Sequence, residues 1–228
     1  MGERYWSPTC IKRVQRCDVD SSTNPVVVLT DKGTGYFKAL GNPEGAHVLA
    51  REFVGTSLAT VLGLPTFEYS IIYFDGNQDI QFVKNGISCG TAERGHGFIT
   101  REVQGNVWDG SPESLECIIN PRDITRLVCL DTWVRNRDRY FLFQDGKIHT
   151  RIDNVFLRGD SKNKQKDDMT LVASDFTHAL FCDGKTTLKA NDEMVYGLFP
   201  AFEKFLDNWA SPSDRRTIAS QRLSDDFW

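Results

Sequence analysis

Residues 129–143 read CLDTWVRNRDRYFLF, an apolar run interrupted by Arg135, Asn136, Arg137, Asp138 and Arg139. Amides and carboxylates are costly to bury unless partnered, so a polar cluster in an apolar frame is either a satisfied structural network or a working site. Upstream, PRDITRLVCLDTWVRN carries Ile124, Leu127, Val128, Leu130, Asp131 and Val134 at helical spacing. Downstream, short strand-like runs follow at 139–143, 154–158 and 170–174. The cluster therefore reads as a loop held between a helix end and a strand.

Before this region the pattern is different. PVVVLTDKGTGYFKAL reads as two strands, 26–29 and 36–40, joined by a glycine-bearing turn. NPEGAHVLAREFVGTSLATVLGLP has apolar residues at helical spacing until Gly63 and Pro65 stop it. TFEYSIIYFD and GFITREV read as strands, and 75–97 as glycine-rich loop with one further strand. The segment before residue 26 reads as a short polar lead, 158–169 as a charged surface loop, and 191–227 as helical. The expected class is α+β in two lobes, a β-rich lobe with one helix over 1–104 and a mainly helical lobe over 105–228, with a cleft near residue 105.

Bulk properties narrow the function classes. The chain has 228 residues, 40% of them hydrophobic, and a formal net charge of −4. Such a chain buries a sizeable core, and its acidic balance argues against nucleic acid or an anionic membrane as partner. The cysteines, Cys10, Cys17, Cys89, Cys117, Cys129 and Cys182, include no C-x-x-C pair, so neither a zinc ribbon nor a redox motif is present. The charged N-terminus MGERYWSPTC has no apolar h-region and lacks the Ser or Thr of a myristoylation signal, and no run is long enough to span a bilayer. The expectation is a cytoplasmic protein.

Phosphoryl transfer from ATP needs a cation on the phosphates, a carboxylate steadying it, a base for the incoming hydroxyl, and oxygen ligands for magnesium. These residue types occur in order. Lys38 follows the glycine turn on a strand, Glu52 lies within the first helix, Asp138 sits in the polar cluster, Asn154 opens DNVFL, and Asp175 follows an apolar strand. Taken singly, Lys38 and Glu52 read first as surface charges, and Asn154 reads equally well as a turn residue. Their order carries the argument, and it predicts that Lys38, Asn154 and Asp175 converge on one phosphate and metal site.

The segments GYFKALGNPEGAHVLAREFVGTSLATVLGLP, LDTWVRNRDRY, RIDNVFL and LVASDFTHALF resemble the HipA-like kinase family, small relatives of HipA-type serine/threonine kinases with the phosphoinositide-kinase-like version of the kinase fold. The resemblance covers most of residues 26–182. It implies Lys38 as phosphate anchor, Glu52 as its helix partner, Asp138 as catalytic carboxylate, and Asn154 and Asp175 as magnesium ligands. Asn136 and Arg139 match positions that shape the catalytic loop, and His178 matches a histidine after the metal-binding aspartate. Gly33, Thr34 and Gly35 fall where the phosphate loop would lie. Arg101, Glu102 and Val103 fall where backbone groups would meet the adenine, with Trp108 nearby, and Trp133 is expected to anchor the catalytic loop.

Two departures stand out: YFLFQDGKIHTRID separates Asp138 from Asn154, and Thr177 replaces the glycine of the D-F-G triplet. The implied function is an ATP- and magnesium-dependent kinase acting on a protein serine or threonine. The alternatives are a catalytically weak nucleotide-binding or interaction module and a small-molecule or lipid kinase. The resemblance also leaves open a separately encoded antitoxin or regulator as partner, and autophosphorylation near the phosphate loop, with Thr30 and Thr34 as candidates.

Overall fold

The computed structural model describes residues 6–17, 19, 23–142, 148–151, 154–159 and 168–180. It is an α+β chain, sheet-rich in its N-terminal region. Its described residues group into two compact units, one within Met1–Val54 and Phe67–Val103, the other within Gly55–Thr66 and Gln104–Trp228.

The first unit is built on an antiparallel sheet of five strands, β1 (Ile11–Arg16), β2 (Val26–Thr30), β3 (Gly33–Leu40), β4 (Tyr69–Phe74) and β7 (Glu93–Arg101), in the order β1-β2-β3-β7-β4. A separate hairpin pairs β5 (Gln81–Lys84) with β6 (Ile87–Thr91). Strand β3 alternates strictly: Gly35, Phe37 and Ala39 are buried, whereas Thr34, Tyr36, Lys38 and Leu40 are half-buried on the other face. Phe37 thereby enters a core with Val26, Val28, Ile72, Phe74, Phe82 and Ile99, and the period of two turns Lys38 away from it.

The β2–β3 connection is a tight turn. Asp31 and Lys32 make the turn, Thr30 Oγ1 donates to the Gly33 carbonyl at 2.7 Å, and it accepts from the Lys32 amide at 3.0 Å. The N-terminal segment pins the turn from outside. Trp6 Nε1 donates to the Lys32 carbonyl at 3.0 Å, and the Thr9 amide and hydroxyl both donate to the Asp31 carboxylate, at 2.8 and 3.0 Å. Gly35 is required for close approach, because a Cβ there would meet the Thr100 carbonyl oxygen at 2.7 Å.

Two readings of this region need correction. The supposed polar lead contains β1, in which the half-buried Ile11 and Val14 lie three residues apart and two register irregularities break the pairing with β2; bulges of that kind erase the two-residue period. The stretch 75–97, expected as loop with one further strand, holds β5, β6 and the start of β7. Its signal was present: Asn85 and Gly86 make a two-residue turn with φ of 52° and 74°, the torsions of a type I′ hairpin.

Helix α1 (His47–Val61) contributes to both units, the first through Val54 and the second from Gly55. It ends in a Schellman motif, with Leu64 N–H on the Ala59 carbonyl and Gly63 N–H on that of Thr60, each at 3.0 Å. Gly63 takes a φ of 72°, and Leu64 and Ala59 are both buried, the apolar contact that accompanies this cap.

The second unit contains α2 (Pro112–Glu116), capped by the Ser111 side chain, α3 (Arg122–Trp133), a 3-10 turn (Arg137–Arg139), a hairpin of β9 (Tyr140–Leu142) with β10 (Ile148–Thr150), and a three-stranded sheet. In that sheet β11 (Phe156–Gly159) lies between β8 (Gly105–Val107) and β12 (Met169–Val172). The core joins Ile124, Leu127, Val128 and Leu130 of α3 to Val155, Leu157, Leu171, Phe176 and Trp108. Among the described residues of this unit short strands accompany α2 and α3, which does not show the mainly helical lobe expected over 105–228. The helical reading of 191–227 lies outside the described residues, and so does most of the charged loop, although Arg158 and Gly159 belong to β11.

Gly55 has no room for a side chain, because a Cβ would sit 2.3 Å from the Phe176 Cβ. Glycine to alanine inside a helix ordinarily gains about 1 kcal/mol, but overpacking against a buried ring costs about 1–3 kcal/mol. Gly55→Ala is therefore expected to lower the thermal midpoint, and a rise in a thermal-shift assay would contradict this packing.

Candidate active site

In the first unit, Lys38 on β3 and Glu52 on α1 form an ion pair between Nζ and Oε1. Their side chains are only 13% and 5% exposed. Isolated burial of either charge would be costly, and the pair offsets that cost while fixing the direction of the ammonium. At the end of β7, the amides of Arg101 and Glu102 donate to the Glu68 and Thr34 carbonyls at 2.8 and 3.0 Å, and Arg101 also pairs with the Glu68 carboxylate.

In the second unit the polar cluster is organised by α3. The helix ends in a second Schellman turn, with Asn136 N–H on the Asp131 carbonyl at 2.8 Å and Arg135 N–H on that of Thr132 at 3.2 Å. Arg135 fills the left-handed position, φ 51°, normally given to glycine. The turn brings the Asn136 side chain back to its helix, where Nδ2 donates to Asp131 Oδ1 at 3.0 Å and also to the Asp175 carbonyl at 3.2 Å. Asp131, Asn136 and Arg139 are all fully buried.

Arg139 completes the network. Its Nε lies 2.7 Å from Asp131 Oδ2, and Nη1 and Nη2 donate to the carbonyls of Asn154 and Ser174. Its guanidinium also lies over the Phe176 ring, 5.4 Å from the centroid, a cation–π contact. One side chain therefore holds both segments that carry the expected metal ligands. Burial pushes the Asp131 carboxyl up, against the opposing pull of the Arg139 charge and the bonds from Arg139 and Asn136.

Asp138 stands on this frame. Its amide donates to Asn136 Oδ1 at 3.3 Å, and its carbonyl accepts from Asn154 Nδ2 at 2.9 Å, leaving Asn154 Oδ1 as that amide's acceptor. Asp138 Oδ1 lies 3.6 Å from Arg151 Nη1 and Oδ2 lies 3.8 Å from His178 Nε2. Burial raises the Asp138 carboxyl, and the Asp175 charge raises it further, against the lowering effect of His178 and Arg151. Asp138 Oδ2 and Asp175 Oδ1 are both buried and accept no hydrogen bond from the described residues. Asp175 adopts a φ of 56°, a left-handed conformation that aspartate tolerates better than most residues.

The donor set fits a hard cation: carboxylate oxygens without hydrogen-bond donors beside an amide oxygen suit an ion that takes few protein ligands and keeps waters. Among the described residues no group of three or more His, Cys, Asp or Glu side chains gathers as a metal cage, and no helix is long and apolar enough to cross a membrane. The structure brings Asp138, Asn154, Asp175 and His178 together in the second unit, and Lys38 and Glu52 in the first. Trp108 is buried in the second unit's core with Nε1 bonded to the Ser111 carbonyl at 2.9 Å, and Trp133 packs partly buried against the same core. The residues that sequence reasoning did not single out are Asp131, Arg151 and Phe176. For Asp131 the signal was a carboxylate at helical spacing with Ile124, Leu127 and Val128.

A lysine–glutamate pair on strand and helix in one unit, and a base-like carboxylate with an amide and a second carboxylate in the other, form the residue set of a phosphotransferase. Residues 11–162 match the HipA-like kinase family, and the chain belongs to that family. The match includes Lys38, Glu52, Asp138 and Asn154, while Asp175 and His178 follow it. Comparison with curated proteins gives no match. Family membership implies a kinase that uses ATP.

Burial and the Asp175 charge raise the Asp138 carboxyl, and His178 and Arg151 offset this in part. A carboxyl raised in the folded state binds its proton more tightly there, so its ionised form subtracts stability above the folded pKa, and the loss disappears as pH falls to the ordinary range near ~3.9. Asp138→Asn should raise the thermal midpoint at neutral pH by about 2–4 °C, the scale of ~1 kcal/mol for a chain of this size. The gain should vanish toward pH 4. A lower midpoint at neutral pH would show that the carboxylate is fully compensated. Arg139→Lys removes the fork, and its melting curve should shift downward by more than that gain.

Proposed function

We propose that the chain is an ATP- and magnesium-dependent serine/threonine protein kinase of the HipA-like type. The observation that supports this most is the pair of buried carboxylate oxygens, Asp138 Oδ2 and Asp175 Oδ1, that accept no hydrogen bond from the described residues, next to the close Arg139–Asp131 ion pair. Buried oxygens without hydrogen-bond donors are found where a ligand relieves them.

In this reading Lys38, steadied by Glu52, anchors the nucleotide phosphates, with Gly33, Thr34 and Gly35 close to them. Asn154 and Asp175 hold magnesium, which when bound neutralises phosphate charge. The Asp138 carboxylate orients the substrate hydroxyl and takes up its proton, and a raised pKa makes it a better acceptor at neutral pH. Because the Arg101 and Glu102 amides are engaged in the first unit, adenine recognition falls to Val103 and to the carbonyls of that segment. Thr30 is a poor autophosphorylation acceptor in this conformation, its hydroxyl being both donor and acceptor inside the turn.

The test is turnover of radiolabelled ATP with magnesium, comparing wild type with Asp175→Asn and Lys38→Met. Each variant should lose roughly 10²–10³-fold in kcat. Equal turnover in wild type and Asp175→Asn would remove the catalytic reading and leave a nucleotide-binding module.

A further inference from the structure

The loop bearing Asp138 has a charge problem that its own arginine does not solve. Phosphoryl transfer concentrates negative charge on the equatorial oxygens, and kinases and GTPases place a cation there. Arg139, the residue after the base, is fully buried and committed to Asp131 and to the carbonyls of Asn154 and Ser174. Its guanidinium is an internal strut.

Arg151 is differently placed. Its backbone is anchored on both sides of the site, its amide donating to the Arg139 carbonyl at 2.9 Å and its carbonyl accepting from the Asn154 amide at 3.3 Å. Its side chain is 42% exposed, and Nη1 lies 3.6 Å from Asp138 Oδ1, an ion contact longer than a hydrogen bond. A base must lie about 3 Å from the hydroxyl it serves, and the attacked phosphorus about 3–3.5 Å beyond. The phosphoryl group therefore forms within roughly 6–7 Å of the Asp138 carboxylate, within range of a long side chain already touching it.

We propose that Arg151 is a catalytic residue of this site, the cation that stabilises the transferring phosphoryl group and that rests against Asp138 in its absence. The assignment rests on the kinase reading. As the substrate oxygen bonds to the γ-phosphorus, its proton passes to Asp138. The bond from that phosphorus to the bridging oxygen breaks, and its electron pair leaves on ADP. Arg151 then exchanges its contact with Asp138 for the phosphoryl oxygens. The exchange also prevents Asp138 from being held in an ion pair while it acts as base. His178, 3.8 Å from the other carboxylate oxygen, keeps one positive neighbour at Asp138 when protonated.

The experiment compares wild type, Arg151→Gln and Arg151→Lys in magnesium-dependent ATP hydrolysis, with water as acceptor, and measures ADP affinity and thermal stabilisation by ADP with aluminium fluoride. The expected result is a roughly 10²–10³-fold fall in kcat for Arg151→Gln, partial recovery in Arg151→Lys, and ADP affinity within threefold of wild type. Stabilisation by ADP with fluoroaluminate should shrink to that by ADP alone. Wild-type turnover that persists in Arg151→Gln overturns this assignment and leaves the kinase reading intact, whereas a parallel loss of ADP affinity shows a ground-state or structural role and overturns it too. Absence of turnover in wild type overturns the kinase reading itself.

Discussion

The buried ion pair between Arg139 and Asp131 is the interaction on which the second unit's site depends. Guanidinium is a planar fork with five donors in fixed directions. Here the fork faces the Asp131 carboxylate with one edge and the carbonyls of Asn154 and Ser174 with the other. Three segments distant along the chain are tied to one rigid group, which itself lies over Phe176. A lysine could satisfy one of these partners but could not set the angles among them. Removing either member of a buried pair leaves a bare charge, which is far worse than never having placed the pair there.

Around that neutral strut the remaining charges do not balance. Burial and the Asp175 charge raise the cost of ionising Asp138, and Arg151 and His178 compensate it only from ion-contact distances. The contrast within one network is informative. Groups that build the frame, Asp131, Asn136 and Arg139, have short partners, and Asp138 Oδ2 and Asp175 Oδ1 accept no hydrogen bond from the described residues. Binding sites commonly carry such a cost in stability, which is what the proposed kinase reading expects of these two oxygens.

Much of the fold was legible because its signals are local. The β2–β3 hairpin, α1 with its glycine stop, and α3 announce themselves through periodicity, since the side-chain repeat of a helix or strand is set by backbone geometry alone. Strand β1 was not legible, because its bulges shift the register and its partner supplies the pairing. The β5–β6 hairpin was legible in Asn85-Gly86 but obscured by the surrounding glycines, which read as loop. Strand β8, three exposed residues ending at Val107, has no periodicity of its own and exists because β11 pairs with it.

The sequence by itself determined the chemistry on offer: a strand lysine, a helix glutamate, and Asp138, Asn154 and Asp175 in the order phosphoryl transfer uses. Residue type and order survive without coordinates because catalysis needs particular functional groups. Tertiary structure alone decided which groups are buried as frame and which carboxylate oxygens are left without a hydrogen-bond donor among the described residues. In the sequence Asp131 is one more position on a helix face and Arg139 one arginine among three. Burial turns both into a strut, because in a low-dielectric interior a charge must find its partners, and those partners arrive from residues 154 and 174, whose proximity no local rule encodes.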